Sequence, residues 1–127
     1  MPTVREVMTA DLRMIERDKR VSAVAGILED EKIGAAPLVD ETGSIVGIVT
    51  KSDIVHFEFV GGDPIEARVS EIASPHPVTI DGDRAASEAA KIMLKKQLHH
   101  LLVVDGEEVI GIITSMDFVA LAAGEKV

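Results

Sequence analysis

Two seven-residue stretches decide the fold: Gly47-Ile48-Val49-Thr50-Lys51-Ser52-Asp53 and Gly111-Ile112-Ile113-Thr114-Ser115-Met116-Asp117. Each begins in an apolar, mostly β-branched run, which is typical of a strand. Each ends in Thr-x-x-Asp, a pattern typical of the first turn of a helix. The two stretches therefore predict the same strand-to-helix junction twice.

The similarity extends to both sides of these junctions. At an offset of 65 residues Val4-Arg5-Glu6-Val7 lies over Val69-Ser70-Glu71-Ile72, and after a one-residue slip in a turn the junctions align at an offset of 64. We therefore predict a tandem duplication, with repeat 1 at residues 1–60, a linker at 61–64 and repeat 2 at 65–127.

An amphipathic helix is predicted early in each repeat. Residues 20–31 carry apolar side chains at the i, i+3, i+4, i+7 spacing of one helix face, and the second repeat carries a matching set. These are Val21, Val24, Ala25 and Leu28, matched by Ala86, Ala89, Ala90 and Met93. Asp18 and Asp83 stand before the two helices, and we expect them to be the N-caps.

Each helix is followed by a hairpin signal, in which two apolar runs flank a turn that contains glycine. The predicted strands are 36–39 and 45–49, then 101–104 and 109–113. The second strand of each pair lacks polar alternation, so both of its faces should be buried. A helix from Ser52 to Phe59, or from Ser115 to Ala123, closes each repeat. The predicted fold class is α+β, with the two repeats packed through their sheets in pseudo-twofold symmetry.

Composition excludes several functions. The 127 residues include no cysteine, tryptophan or tyrosine, and 22 acidic against 13 basic side chains leave a net charge of −9. The acidity argues against nucleic acid, whose phosphates require Lys and Arg. No thiolate metal site is possible, and the histidines lack metal-ligand spacing. No apolar run approaches a membrane span, so we expect a cytoplasmic protein.

The duplicated Thr-x-x-Asp has two interpretations. It is a capping box, in which hydroxyl and acid bind amides of the first helical turn. It also suits a nucleotide, because helix N-termini attract phosphate and an ionised Asp accepts hydrogen bonds from a ribose diol. The strand glycines Gly47 and Gly111 add to the second interpretation, since a strand glycine often marks close approach of a ligand or another backbone.

The repeated helix, the hairpin whose first strand ends in Val-Asp, and the closing Gly-x-x-Thr-x-x-Asp resemble a tandem pair of CBS domains, the Bateman module. The resemblance covers Val4 to Val55 and Val69 to Val119. It implies a β-α-β-β-α unit present twice, with two clefts between the repeats. It also implies adenosine-containing ligands such as AMP, ADP, ATP or S-adenosyl methionine, and a homodimer.

Carried over by position, the resemblance implies two ligand sites. Site 1 comprises Met14, Ile15, Gly34, Ala35, Ala36, Pro37, Thr50, Lys51, Ser52 and Asp53, and site 2 comprises Thr79, Ile80, His99, His100, Leu101, Thr114, Ser115, Met116 and Asp117. Asp53 and Asp117 match the ribose-binding acid, and Thr50 and Thr114 the phosphate-side hydroxyl. His99 and His100 can donate to phosphate, so we expect the Asp117 site to be the better phosphate site.

The functional hypothesis is a ligand-sensing module, with no catalytic residues and no bound metal or cofactor, that signals to a separate and unidentified protein partner. The alternative is a ligand-free structural or partner-docking module, for which Phe57 and Phe59 supply apolar surface. An enzyme is disfavoured because no catalytic spacing is present.

Overall fold

The computed structural model describes residues 2–126; the predicted outer limits of the repeats, residues 1 and 127, lie outside the described residues. The chain forms two compact units. The first unit contains residues 13–77, and the second unit contains residues 2–12 and 78–126. The predicted repeats follow the chain without interruption, whereas the second unit combines two separate parts of it. The boundary at 61–64 stays a prediction about the sequence repeats.

The helices and strands alternate in the same order in both repeats. In chain order they are α1 (Val4–Val7), β1 (Ile15–Glu16), α2 (Val21–Asp30), β2 (Ala35–Val39), β3 (Ile45–Thr50), α3 (Lys51–Phe59), a 3₁₀ helix (Val69–Glu71), β4 (Thr79–Asp81), α4 (Ala86–Lys96), β5 (His100–Asp105), β6 (Glu108–Thr114) and α5 (Ser115–Ala122).

Each unit contains one three-stranded sheet, in the order β1-β2-β3 or β4-β5-β6. The first two strands of each sheet are parallel, because α2 or α4 connects them, and the last two form an antiparallel hairpin. The β-α-β-β-α order and the α+β class are therefore confirmed. The middle of each hairpin's second strand is buried, as its unbroken apolar run predicted.

The apolar face of each amphipathic helix packs on its own sheet. In the first unit Val21, Val24 and Leu28 of α2 join Leu38 and Val49 in one buried cluster. A matching cluster in the second unit is formed by Ala86, Ala89, Met93, Leu101, Val103 and Ile113. Val4 and Val7 of α1 lie in the same cluster.

The N-terminal segment of each repeat pairs with the sheet that the other repeat forms. In the second unit the Thr9 amide donates to the Ile112 carbonyl (2.8 Å) and the Ile112 amide donates back (2.9 Å). In the first unit Ser74 and Ile48 exchange the same two bonds, both 2.9 Å long. Thr9 and Ser74 are 65 residues apart, so this pairing is duplicated with the repeat.

The predicted N-caps are wrong. Arg20 and Ala85 occupy the cap positions of α2 and α4, without side-chain capping bonds. The Val21 amide instead donates to the carbonyl of Ala67 (3.0 Å), and the Ala86 amide to the carbonyl of Pro2 (2.8 Å). These helix amides are satisfied by backbone carbonyls at the start of the other repeat. No acidic cap is therefore needed.

A local capping box does begin α1. The Thr3 amide donates to Glu6 Oε1 (2.9 Å), and the Glu6 amide donates to Thr3 Oγ1 (3.3 Å). The bond from the Thr3 amide holds the pKa of Glu6 below its ordinary value, because the ionised carboxylate is the stronger acceptor. This turn fixes the start of the segment that carries Thr9 to β6.

The close approach at the two strand glycines is made by backbone. A Cβ atom on Gly47 would lie 2.8 Å from the Ser74 carbonyl oxygen. On Gly111 it would lie 2.8 Å from the Thr9 carbonyl oxygen and 2.7 Å from the sulfur of Met8. Glycine is therefore required here so that the strand can be approached by protein, and these glycines do not themselves point to a ligand.

We expect Gly47→Ala and Gly111→Ala each to lower the free energy of unfolding by about 2 kcal/mol, because the new methyl group overlaps a hydrogen-bonded carbonyl. Urea unfolding followed by circular dichroism measures this. Gly26→Ala is the control: nothing lies within 4 Å of its Cβ position in α2, so it should stabilise the protein by about 0.5–1 kcal/mol. Equal stability of wild type and Gly111→Ala would contradict the tight approach.

Candidate functional site

Three chain segments meet at one end of each sheet. Because β1 is parallel to β2 and antiparallel to β3, the starts of β1 and β2 lie at the same end as the end of β3. Ala35 pairs with Thr50, and the Lys51 amide donates to the Gly34 carbonyl (2.9 Å). The sheet topology thus brings the predicted site 1 segments together.

The second unit repeats this arrangement. His100 pairs with Thr114, and the Ser115 amide donates to the His99 carbonyl (2.9 Å). The early strand β4 lies parallel to β5, with Thr79 beside Leu102 and Ile80 beside Val103. The three predicted site 2 segments are therefore neighbours as well.

The predicted site residues differ in exposure. In site 1, Ile15, Ala36 and Pro37 are buried, Ala35, Thr50 and Asp53 are half-buried, and Met14, Gly34, Lys51 and Ser52 are exposed. In site 2, Ile80, Leu101 and Asp117 are buried, His100 and Thr114 are half-buried, and Thr79, His99, Ser115 and Met116 are exposed. Each set thus combines apolar residues packed in the core with exposed or half-buried polar residues, except that the polar Asp117 is buried.

The first junction forms a capping box. The Asp53 amide donates to Thr50 Oγ1 (3.1 Å), and the Thr50 amide donates to Asp53 Oδ2 (2.9 Å). No other donor among residues 2–126 reaches the Asp53 carboxylate. The capping interpretation of Thr-x-x-Asp is confirmed here, and it uses only one oxygen of the acid.

The second junction engages both oxygens of the acid. Asp117 Oδ2 accepts from the Thr114 amide (2.8 Å) and, at 3.4 Å, from the Thr114 hydroxyl. Asp117 Oδ1 accepts from the Thr9 hydroxyl (2.9 Å) and forms an ion pair with the Lys126 ammonium (3.0 Å). Asp117 is only 5% exposed. The two acids therefore have the same sequence position but different surroundings.

A shallow groove of about 410 Å³ runs along the outer face of α3. It is lined by Lys51, Ser52, Val55, His56 and Phe59. Lys51 and Ser52, predicted to lie toward phosphate, thus share a surface with the exposed apolar side chains of the same helix.

Sequence reasoning did not identify Thr9 or Lys126 as site residues. Thr9 aligns with Ser74 at the 65-residue offset. The hydroxyl at both positions was therefore a signal in the sequence that could have pointed to Thr9. Lys126 had no such signal, because its counterpart at the 64-residue offset is Gly62.

Metal and membrane functions find no support in the described part of the chain. Residues 2–126 contain no group of three or more His, Asp or Glu side chains placed to hold a metal ion. Within the same range, every helix is too short or too polar to cross a membrane.

Comparison with known proteins identifies the family. The CBS domain model matches twice, at residues 4–59 and 69–124, so this chain belongs to the CBS domain family and carries two CBS domains. Its curated relatives include the uncharacterized protein YlbB of Bacillus subtilis, which is 30% identical over 118 residues, covering 92% of this chain and 80% of YlbB.

Solved structures agree with this assignment. The CBS domain pair of protein MJ0100, crystallised with 5′-methylthioadenosine and S-adenosyl-L-methionine, is 29% identical with a TM-score of 0.86, and the match covers 99% of both chains. The CBS-domain containing protein ATU1752 of Agrobacterium tumefaciens shares the fold at 24% identity, with a TM-score of 0.88 over 94% of this chain and 92% of that one.

The two acids should differ in their contribution to stability. We expect Asp53→Ala to lower the free energy of unfolding by about 1 kcal/mol, the usual effect of losing a cap. Asp117→Ala should lower it by about 3 kcal/mol, because the bonds from Thr9 and Lys126 are lost as well. Urea denaturation of both variants measures the difference. Equal losses would show that the additional contacts of Asp117 contribute nothing.

Proposed function

We propose that this chain is a regulatory module that binds an adenosine-containing ligand at the sheet end described for each unit and signals to a separate protein. The observation that carries the proposal is the Asp53 carboxylate, which stands at the first turn of α3 with one oxygen unused by the described residues. A vicinal diol offers two hydroxyl donors to such an acid.

The surroundings of Asp53 suit the rest of a nucleotide. The first turn of α3 presents the positive end of the helix dipole, which favours phosphate. The exposed Lys51 at the start of α3 supplies a mobile cation. The exposed side chain of Met14, directly before β1, offers apolar surface for a purine, in a chain with almost no aromatic residues. Phosphate, ribose and base thus each have a group of matching chemistry.

The comparison with MJ0100 supports the ligand class. That domain pair was crystallised with two adenosine derivatives, and its match extends over this whole chain. AMP, ADP, ATP, S-adenosyl methionine and 5′-methylthioadenosine share the ribose diol and adenine but differ in charge at the 5′ position. The Asp53 carboxylate and the exposed Met14 fit the shared part, while the groups near Lys51 select among the 5′ substituents.

A regulatory role fits better than catalysis. No group of His, Asp or Glu side chains placed to hold a metal occurs among residues 2–126, and one oxygen of each Thr-x-x-Asp acid caps a helix. We propose that the output is a contact with a partner protein. The competing proposal, a docking module without ligand, is favoured by the exposed apolar side chains of α3 and α5.

Calorimetry of the purified protein with the five adenosine compounds tests the proposal. We expect at least one to bind below millimolar concentration and, at a hundred times its Kd, to stabilise the protein by about 2.7 kcal/mol in a thermal-shift assay. Asp53→Asn should weaken binding at least tenfold, an effect of about 1.4 kcal/mol, because the amide is a poorer acceptor for hydroxyl groups.

Asp63→Asn is the matched control, since it removes the same charge from an exposed residue outside the site. It should bind as wild type does. If none of the five compounds binds, the docking module becomes the better explanation.

We further propose that the module is a homodimer that uses the closing helices. Val55 and Phe59 lie one turn apart on α3 and are 67% and 87% exposed. Met116 and Val119 on α5 are 67% and 54% exposed. Apolar side chains clustered on a helix face are typical of an interaction surface, and self-association would cover both helices.

Analytical ultracentrifugation tests the dimer. We expect wild type to sediment as a dimer, and Phe59→Glu to weaken association about 30-fold or more, as loss of a 2 kcal/mol aromatic anchor does. Leu94→Glu is the control, because Leu94 is 81% exposed on α4 and outside both closing helices. Dimerisation that survives Phe59→Glu would exclude this surface.

A further inference from the structure

Both oxygens of the Asp117 carboxylate are engaged by the described residues. Oδ2 accepts from the amide and, at 3.4 Å, from the hydroxyl of Thr114. Oδ1 accepts from the hydroxyl of Thr9 and lies 3.0 Å from the ammonium of Lys126, with which it forms an ion pair. Because the ammonium stands against Oδ1, a ribose hydroxyl can reach this oxygen only after Lys126 has moved away.

Lys126 is the donor that can leave. Its side chain is 26% exposed, against 7% for that of Asp117. Thr114 is fixed in β6 and the capping box, and Thr9 is held to β6 by two backbone bonds. The side chain of Lys126 is held through its ammonium, which donates to the carbonyls of Val7 (2.9 Å) and Met8 (3.3 Å).

The turn after α5 directs Lys126 to this position. Gly124 adopts φ +78°, a conformation that favours glycine, and the Glu125 amide donates to the Ala120 carbonyl (2.9 Å). The chain therefore reverses at the end of α5 and returns toward Val7 and Met8. The ammonium is therefore held by two carbonyls and by its ion pair with Asp117.

The first unit has no equivalent of this contact. The 64-residue offset that relates Asp53 to Asp117 relates Gly62 to Lys126, and glycine has no side chain that could reach an acid. Ser74 occupies the position of Thr9, yet no side chain in residues 2–126 donates to Asp53. The two sites therefore differ in whether side chains already contact the second oxygen of the acid, and this difference decides whether a ligand hydroxyl can reach it.

We propose that Lys126 is a built-in competitor for the Asp117 site. Its ammonium holds the oxygen that a ligand hydroxyl would use, so the adenosine ligand fills the Asp53 site first and enters the Asp117 site only by displacing Lys126. This rests on the proposed function and adds a regulation to it. Displacement also releases the carbonyls of Val7 and Met8, which couples occupancy of the site to the segment after α5.

Calorimetry with AMP on the full chain tests the competition. We expect wild type to bind one AMP tightly, and Lys126→Met, which keeps side-chain length without charge, to bind a second AMP about tenfold more tightly than wild type does. Adding Asp117→Asn to Lys126→Met should abolish the gain. Lys96→Met is the control, because Lys96 is an exposed lysine at the end of α4.

A second measurement needs no ligand. Acylation of lysine amines, followed by mass spectrometry, should modify Lys126 about tenfold more slowly than Lys96, because the protected ammonium reacts only when it is released. Asp117→Asn should raise the rate at Lys126 toward that at Lys96. Equal rates in wild type would overturn the proposed contact.

The outcomes separate the two proposals. If AMP binds wild type and Lys126→Met with the same stoichiometry and affinity, the competition is overturned while the ligand-sensing function stands. If neither AMP nor the other four adenosine compounds binds any variant, Lys126→Met included, the ligand-sensing function is overturned, and the competition with it, whatever the acylation rates.

Discussion

The paired backbone bonds between Thr9 and Ile112, and between Ser74 and Ile48, are the constraint on which the rest of the structure depends. They require glycine at 47 and 111, because any Cβ atom there would meet the incoming carbonyl at 2.8 Å. The segments that carry Ser74 and Thr9 also supply the carbonyls that satisfy the first amides of α2 and α4, which is why those helices lack side-chain caps. The same two segments thus bond to β3 and β6 and supply the carbonyls at the start of α2 and α4. In the second unit the segment also brings the Thr9 hydroxyl to Asp117.

The acid of Thr-x-x-Asp combines two roles because a carboxylate has two oxygens. One oxygen caps the helix in both units and so fixes the side chain in a single orientation. The other oxygen is then presented in a defined direction without further ordering, which lowers the entropic cost of using it for recognition. Capping and ligand binding, which the sequence leaves as alternatives, are compatible for this reason. What distinguishes the two units is the occupancy of the second oxygen, and that depends on residues far from the motif in sequence.

Local patterns predicted the fold well, and they predicted the chain segments that the sheets bring together at the candidate sites. The strands, the helices and the β-α-β-β-α order followed from short-range periodicity and from the duplication. Each element could be assigned independently in both repeats, and the two assignments had to agree. The N-caps Asp18 and Asp83 were predicted from local preference, and they failed because carbonyls of Ala67 and Pro2, distant in the chain, reached the helix amides first. Lys126 could not be predicted either. Its role depends on the turn at Gly124 and on a contact with residues about 120 positions earlier, and the duplication offers only Gly62 for comparison.

A sensor needs two states that its ligand binds unequally, because a ligand shifts a conformational equilibrium only by its difference in affinity for them. Two identical sites that merely fill would not supply those states. The contact between Lys126 and Asp117 defines one state by named bonds, and its rupture defines the other, in which the ammonium and the carbonyls of Val7 and Met8 are exposed to new partners. Under the proposed function, the asymmetry between Lys126 and Gly62 gives the two copies of the motif different roles: the Asp53 copy binds ligand directly, and the Asp117 copy converts further binding into a structural change.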